Sequence, residues 1–350
     1  MNKLTKVGLS ALCGSLAAVS SANAGEMSVS GSATATYQST AGATTGNPIG
    51  MNSGLTFAGS GELDGGQTFS YTITNADQAA FSAGSISLTT NSLGTWTIGA
   101  IHGGGGIDSK DDAMPTAWEE VDGTGMTVGQ DKISGVGASM NIGWKSPTLF
   151  GTNLSLAYAP RNDGQAVNDK GASGSAGSDR YQYGYDILLD MNVDSAFYMP
   201  NVFIGGSATH QEGDHATGGI KVVQFDDKYE AVAGFVWKLG PLSAGLQRSY
   251  ENPGLRAAGS TEYYANTAYG VSFNVNDSLS LSYGEHWSHR SLIRPGTNEA
   301  VRSEAESLQV AYTIGGVALK LAESKVDNAQ YVSGGAGDLE GRTIAMSLAF

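Results

Sequence analysis

Ile101 to Lys132 reads IHGGGGIDSKDDAMPTAWEEVDGTGMTVGQDK and interrupts an otherwise regular alternation of polar and apolar residues. It contains four consecutive glycines, seven acidic residues and only two lysines. A stretch of about thirty residues without periodicity is uncommon inside a compact domain and is usually functional. The sequence on both sides alternates with a period of two and is broken only by turns. We interpret the alternating parts as the wall of a tube and this insertion as a segment that partly fills it.

The first 24 residues have the pattern of a secretory signal peptide. Lys3 and Lys6 precede an apolar run from Val7 to Val19, and Ala22-Asn23-Ala24 supplies a cleavage site. The run is shorter than the ~20 apolar residues that a spanning helix needs. Cys13 is preceded by Leu12 and not by a small residue, so we do not expect lipidation. The mature protein is therefore expected to comprise residues 25–350.

Charge and composition exclude several classes of protein. Without the two lysines of the leader, the chain has 17 Lys and Arg and 33 Asp and Glu. This negative net charge argues against a nucleic-acid partner. The only cysteine lies in the leader, so the exported chain has no disulfide framework. Glycine accounts for 50 of the 350 residues and helical periodicity is missing, which indicates an all-β protein.

Alternating segments bounded by turn residues predict sixteen strands, the first over Met27–Gln38 and the sixth over Gly135–Lys145. Connections after most even-numbered strands are tight, such as Asp64-Gly65-Gly66 and Gly315-Gly316, and those after odd-numbered strands are longer. Short turns at one end and long loops at the other are typical of a transmembrane antiparallel β-barrel. An apolar outer face and a face of Ser, Thr, Gly, Asn and Gln predict a water-filled interior.

The chain resembles the general porins of Gram-negative outer membranes. The resemblance covers essentially the whole mature chain, and it rests on the leader, the sixteen strands, the long insertion after the fifth strand and the ending TIAMSLAF over residues 343–350. It implies that the third loop folds into the barrel as a constriction and that three barrels associate. It also implies residence in the outer membrane among lipid and lipopolysaccharide, and recognition of Phe350 by the barrel-assembly machinery.

Under this resemblance the constriction loop spans roughly residues 101–132, and its candidate pore-facing acids are Asp108, Asp111, Asp112, Glu119, Glu120 and Asp122. Family members place a basic cluster on the opposite wall, largely on the N-terminal strands. This chain differs, because no Lys or Arg occurs between Gly25 and Ser109. Alternation points other bases inward, at Lys145, Lys238, Arg290 and Lys320. We therefore expect an uncompensated acidic constriction that prefers cations during passive diffusion of small hydrophilic solutes.

Other readings remain open. A substrate-selective channel with a solute-binding constriction is the nearest alternative. Pairs of histidines, His210 with His215 and His286 with His289, suggest metal ligands less well than solvated loops, and acidic groups such as Asp226-Asp227 leave bound Ca²⁺ possible. No cofactor is otherwise expected. The chain has no nucleophile elbow, so a hydrolase using His286 or His289 has little support, and no short repeat supports a soluble β-solenoid. We do not expect an enzyme.

Overall fold

The computed structural model describes residues 25–41, 46–77, 82–100, 106–164, 180–192, 199–212, 216–217, 220–221, 225–293 and 300–350. Within these ranges the protein is an all-β structure whose sixteen long strands form one closed antiparallel barrel. Three short 3₁₀ turns, at Ile107–Lys110, Val121–Gly123 and Ala329–Tyr331, complete the regular structure together with a two-stranded ribbon, residues 216–217 and 220–221. No helix in the described ranges has the length and apolar character needed to cross a membrane.

Each barrel strand pairs with its neighbours in the sequence. The strands are β1 (Met27–Ala41), β2 (Ile49–Glu62), β3 (Thr68–Ala76), β4 (Ala83–Thr90), β5 (Gly94–Ala100), β6 (Asn141–Lys145), β7 (Thr152–Ala159), β8 (Tyr181–Met191), β9 (Asn201–Gln211), β10 (Lys228–Leu239), β11 (Leu242–Asn252), β12 (Thr261–Asn274), β13 (Leu279–Leu292), β14 (Val301–Ile314), β15 (Val317–Asp327) and β16 (Leu339–Ala349). The predicted all-β barrel of sixteen strands is therefore confirmed.

The barrel closes where the last strand meets the first. β16 pairs with β1 from Ser32 opposite Ala349 to Ala41 opposite Glu340. The C-terminal Phe350 extends this seam, because its backbone N–H donates to the carbonyl of Gly31 at 3.0 Å and its carbonyl accepts from the Gly31 N–H at 2.7 Å. Closure gives each edge strand a partner, so the backbone groups of the wall are satisfied within the sheet.

The two faces of the wall differ as the alternation predicts. On one face, large apolar and aromatic side chains are exposed, with Trp96 at 48%, Tyr185 at 53% and Leu308 at 57%. On the other face, polar side chains are buried, including Ser303 at 0% and Gln309 at 2% exposed. Because residues 106–140 pack on the polar face and leave the apolar face bare, we assign the apolar face to the outside of the barrel and the polar face to its lumen.

One strand is shorter than the sequence predicts. β6 was expected over Gly135–Lys145 but begins only at Asn141. Residues 134–136 instead donate backbone N–H groups to carboxylates on β8 and β10, so they cannot continue the ladder with β5. The tight connections after even-numbered strands are present, for example between β10 and β11. The predicted leader, residues 1–24, and the start of the long insertion, residues 101–105, lie outside the described residues.

The seam leads to a first prediction. A Cβ atom built on Gly31 would lie 2.4 Å from Cε2 of Phe350. We expect Gly31→Val to push the terminal ring off the seam and to lower the stability of the refolded barrel by about 1 kcal/mol, because small-to-large changes at a contact force a neighbour to move. Urea unfolding in detergent measures this loss. Gly59→Val is the matched control, since a Cβ on Gly59 of β2 meets nothing within 4 Å; equal losses in both variants would contradict the prediction.

Candidate functional site

The inserted segment, residues 106–140, leaves the wall after β5 and returns to it at β6. Its two ends are held by a single carboxylate on β8. The side chain of Asp186 is 2% exposed, and its Oδ2 accepts the backbone N–H of Ile107 at 3.1 Å and that of Val136 at 3.2 Å. Hydrogen bonds from N–H groups to a carboxylate are among the stronger ones in proteins. One buried acid therefore joins the beginning and the end of the segment to the wall.

A second buried carboxylate holds the returning end. Glu230 of β10 accepts the N–H of Ser134 at 2.8 Å and that of Gly135 at 2.9 Å. Lys228 balances this acid, with its Nζ 3.5 Å from Glu230 and 3.1 Å from Glu251. A buried charge is tolerated only when it is paired and hydrogen-bonded, and both conditions are met here.

Apolar contacts hold the rest of the segment. Ile107, Met114 and Ile133 form a buried cluster with side chains of the wall, namely Leu188, Phe203, Val232 and Ala268. A second cluster joins Val121, Met126 and Val128 to Ala305, Val326 and Ala329. The face assigned to the lumen is therefore not uniformly polar. Where the segment packs, the wall carries apolar residues, and their burial supplies the hydrophobic part of the attachment.

Hydrogen bonds trace the path of the segment around the barrel. Ala117 donates its N–H to Ser282 of β13 at 2.8 Å, and Thr124 is bonded to Ser324 of β15 at 2.8 Å. The carbonyl of Gly125 accepts from Gln38 of β1 at 2.5 Å. Between residues 107 and 125 the contacts thus pass from β8 through β13 and β15 to β1, slightly more than half of the circumference. Pro115 can pass close to β12 because residue 270 is glycine, where a Cβ would lie 2.6 Å from the Pro115 carbonyl oxygen.

Gln309 of β14 clamps the middle of the segment. Its Oε1 accepts the N–H groups of Trp118 and Glu119, both at 3.2 Å, and its Nε2 donates to the carbonyl of Glu119 at 2.7 Å. The amide side chain therefore replaces backbone partners that an irregular segment cannot supply for itself.

A second connection reaches the same region. Tyr331, between β15 and β16, is 7% exposed, and its hydroxyl accepts the N–H of Asp131 at 2.8 Å. The guanidinium carbon of Arg290 lies 4.7 Å from the centre of the Tyr331 ring. Asn328, Gln330 and Tyr331 all have left-handed backbone conformations, with φ of 56°, 54° and 59°. Such conformations are unfavourable for side-chain-bearing residues, so the docking contacts must compensate for them.

Three acidic side chains and one lysine of the inserted segment form a cluster. Lys132 makes an ion pair with Asp112 and another with Asp122, the latter at 2.7 Å. Glu120 lies beside them and accepts the N–H of Met114 at 2.7 Å. Burial raises the pKa of Glu120 to about 8, although the hydrogen bond from Met114 and the charge of Lys132 oppose this shift. At neutral pH this carboxyl is therefore mostly protonated, and the group carries less negative charge than its composition implies.

Lys320 of β15 is the nearest wall base to the middle of the segment. Its Nζ lies 5.6 Å from the centre of the Trp118 ring. Burial raises the pKa of the neighbouring Glu119, and the positive charge of Lys320 opposes that rise. The acids of the inserted segment thus have counter-charges, at Lys132 and at Lys320. The expectation of an uncompensated acidic constriction is not met in this respect.

The first five strands present mainly hydroxyl groups on their polar face. On β1 to β5 the polar face carries Ser and Thr side chains that bond to one another across strands, as in Thr56 to Thr74 at 3.3 Å and Ser87 to Thr97 at 2.9 Å. No Lys or Arg occurs in this part of the sequence. We call the polar face of β1–β5 the hydroxyl wall. It is neutral except for Glu62 at the end of β2 and contrasts with the charged strands β8–β15.

Comparison with known proteins agrees with this architecture. The sequence matches no protein-family model and no curated protein. An anion-selective porin from Comamonas acidovorans has a similar structure, with a TM-score of 0.66 and 14% identity over 93% of this chain and 99% of that chain. The chain has the porin fold. Salmonella typhi OmpF, solved with daunomycin, gives a TM-score of 0.65 at 11% identity over 93% of this chain and 98% of its own. OmpT of Vibrio cholerae gives 0.60 at 10% identity over 95% and 99%.

Within this porin fold the six predicted acids occupy different environments. Asp108 differs most from the expectation, because its side chain is 3% exposed and packs against Gly137. Asp111, Glu120 and Asp122 are partly buried. Only Asp112 and Glu119 are well exposed, the side chain of Asp112 at 61%. The exposed edge of the segment therefore presents fewer carboxylates than its sequence suggests.

The predicted bases separate into two groups. Lys320 and Arg290 each lie over an aromatic ring. The ring is that of Trp118 for Lys320 and that of Tyr331 for Arg290. Lys145 and Lys238 are exposed on the polar face at or near the ends of β6 and β10 that lead into β7 and β11. Phe350 lies at the barrel seam, where it is 73% exposed.

Of the two predicted histidine pairs, only His286 with His289 lies wholly within the described residues, and these two do not share a site. His286 and His289 are three apart on β13, so alternation places them on opposite faces of the wall. His210 instead bonds to Asp227 at 2.8 Å, Asp226 pairs with Arg256, and His215 lies outside the described residues. The group best arranged for a metal ion is Asp112, Glu120 and Asp122, whose carboxylate oxygens lie within 4.8 Å of one another. Lys132 already supplies a positive charge there.

Sequence reasoning did not single out the residues that position the inserted segment. Asp186, Glu230, Gln309 and Tyr331 are isolated polar residues in alternating or loop sequence. The distinguishing signal of the first three is a charge or amide at a polar-face position, which water could satisfy equally well, and Tyr331 lies in a connection between strands. Only the folded chain shows that they receive backbone N–H groups of residues 50 to 200 positions away.

The clamp at Gln309 gives a second prediction. Gln309→Leu removes the three hydrogen bonds to the segment and leaves two backbone N–H groups without this acceptor, which should cost the attachment about 1–3 kcal/mol. We expect faster hydrogen exchange at the amides of Trp118 and Glu119, with the strand amides of β13 and β14 unchanged. Gln309→Glu keeps the acceptor and loses the donor, so its effect should be intermediate. Unchanged exchange at both amides in Gln309→Leu would contradict the assignment of the clamp.

Proposed function

We propose that this protein is an outer-membrane porin, a water-filled channel for passive diffusion of small hydrophilic solutes and ions. The observation that carries the proposal is the arrangement of one closed barrel, an inserted segment fixed along β7–β16 and at Gln38 of β1, and a polar face of hydroxyl groups on β1–β5. Sixteen strands enclose a lumen wide enough for water, and an attached segment narrows such a lumen without sealing it. The role of the chain would lie in the size and charge of the opening, and no catalytic group is required.

We further propose a preference for cations. Residues 101–132 hold seven acids and two lysines, and the hydroxyl wall contributes no base. Clustered carboxylates in a narrow aqueous pore attract cations and repel anions. Lys132 and Lys320 reduce this field, so the preference should be moderate. The fold alone leaves the sign open, since the similar Comamonas acidovorans protein is described as anion-selective. A solute-selective channel is the alternative, and saturable conductance would support it.

The location and partners belong to the same proposal. An exposed apolar outer face on a closed barrel supports residence in a bilayer, with lipid and lipopolysaccharide as neighbours. The leader over residues 1–24 would direct export, and Phe350 at the seam would serve as the assembly signal. Association of three copies follows from the family resemblance and can be measured by light scattering in detergent.

Single-channel recording in a planar bilayer under a KCl gradient tests the function. We expect stepwise increases in conductance. The reversal potential should lie between zero and the equilibrium potential of potassium. Stepwise conductance with a reversal potential shifted toward the equilibrium potential of chloride would support the channel function and refute the cation preference. Absence of conductance from folded protein would refute the channel.

The raised pKa of Glu120 gives a fourth prediction. This carboxyl gains its charge as pH rises through about 8, and Asp131, whose burial raises its pKa to about 7, does so in the same range. Cation preference should therefore increase between about pH 6 and about pH 9, where ordinary carboxylates no longer titrate. The charges of Lys132, Asp112 and Asp122 act on Glu120, and Asp111 and His286 line the same cavity.

Glu120→Gln should remove a large part of this pH dependence, and the double variant with Asp131→Asn should remove most of it. The measurement is the reversal potential at each pH. Glu120→Gln preserves the acceptor for the Met114 N–H, so the backbone geometry is maintained. An identical pH profile in the wild type and in the double variant would show that ionisation of these two carboxyls does not affect ion selectivity.

A further inference from the structure

The Lys132 ammonium lies between two members of a group of three acids on the inserted segment. Asp112, Glu120 and Asp122 offer oxygen atoms that all lie within 4.8 Å of one another. The ammonium group of Lys132 contacts the first and the third of these side chains. The cluster is reachable from solution, because the side chain of Asp112 is 61% exposed, whereas that of Lys132 is 23% exposed.

The geometry of the three acids suits a hard divalent cation. Calcium binds carboxylate oxygens at about 2.3–2.6 Å, so oxygens separated by less than twice that distance can share one ion. A lysine ammonium is also a compact cation, but it has a single charge and three donors, and it is attached to the same backbone as the acids. Because the lysine is tethered, its local concentration far exceeds that of any free ion at millimolar levels.

We propose that Lys132 is a specificity-determining residue that excludes divalent cations from the Asp112–Glu120–Asp122 cluster and so leaves the opening free for monovalent ions. This inference rests on the proposed channel function. Without the lysine, Asp112 and Asp122 would repel each other with no counter-charge between them, and a divalent ion could neutralise both while also binding Glu120. With the lysine in place, two of the three acids are already paired, and a divalent ion would have to displace a tethered charge.

Lys110 provides a matched control on the same segment. It forms an ion pair with Asp190 of β8, and its side chain is 16% exposed. Removing this lysine also deletes one positive charge from residues 106–140. It does not uncover a three-carboxylate cluster, since the cluster found in the described residues contains neither Asp190 nor any neighbour of it. A general effect of charge would therefore appear in both lysine variants, and an effect of the cluster in only one.

The experiment compares wild-type protein with Lys132→Met, Lys132→Arg and Lys110→Met in planar bilayers with KCl on both sides. Calcium chloride is then added to about 5 mM, above the 10⁻⁴–10⁻³ M range of weak calcium sites. We expect potassium conductance to fall roughly twofold or more in Lys132→Met alone, since a bound divalent ion repels the next cation at the constriction. Calorimetric titration of the same proteins with calcium chloride should detect binding only in Lys132→Met. Adding Asp112→Asn to that variant should abolish both effects.

Conducting channels without calcium block or binding in Lys132→Met would overturn the role of Lys132 and leave the channel function intact. Block of equal size in Lys110→Met would also overturn it. Absence of conductance in every folded variant would instead refute the channel. If Lys132→Met fails to fold, Asp112→Asn with the lysine retained decides the matter. In this variant Lys132 has lost one of its two partners, so the reversal potential should shift toward the equilibrium potential of chloride. An unchanged reversal potential would contradict the proposed pairing.

Discussion

Closure of the sheet by β1 and β16 is the constraint on which the rest of the structure depends. Ten residue pairs, from Ser32 with Ala349 to Ala41 with Glu340, turn a long antiparallel sheet into a tube. Closure removes both edges, so the backbone of the wall requires no water, and only then can an apolar outer face be exposed to lipid. It also creates the enclosed polar face against which residues 106–140 can fold.

The inserted segment has no regular structure of its own beyond two short 3₁₀ turns, and the wall supplies what it lacks. Asp186 and Glu230 bind its ends, Gln309 binds its middle, and two apolar clusters fill the space between them. This division explains why the wall of one half of the barrel carries apolar and charged residues among its polar positions. On the other half, the hydroxyl wall, the segment is bonded to Gln38 of β1, and the polar positions are mostly Ser and Thr.

Electrostatics follow from the same asymmetry. A segment rich in acids lies along strands that contribute Lys228, Arg290 and Lys320, while the hydroxyl wall contributes no base. Pairing within the segment, above all at Lys132, lowers the field that its composition implies. Burial lowers it further by keeping Glu120 largely protonated at neutral pH. The charge of such an opening therefore depends on pairing and burial as much as on the number of carboxylates.

The sequence by itself determined the barrel, because a period of two and turn residues at regular spacing are local signals that need no partner to be recognised. The sixteen strands, the outer face with Trp96 and Tyr185, and the position of the insertion all follow from it. Only the tertiary structure decided which acids are exposed, that Asp108 is buried, that β6 begins at Asn141, and that Lys132 neutralises Asp112 and Asp122. These features depend on contacts between distant residues, and the energy of a charge is set by what surrounds it after folding.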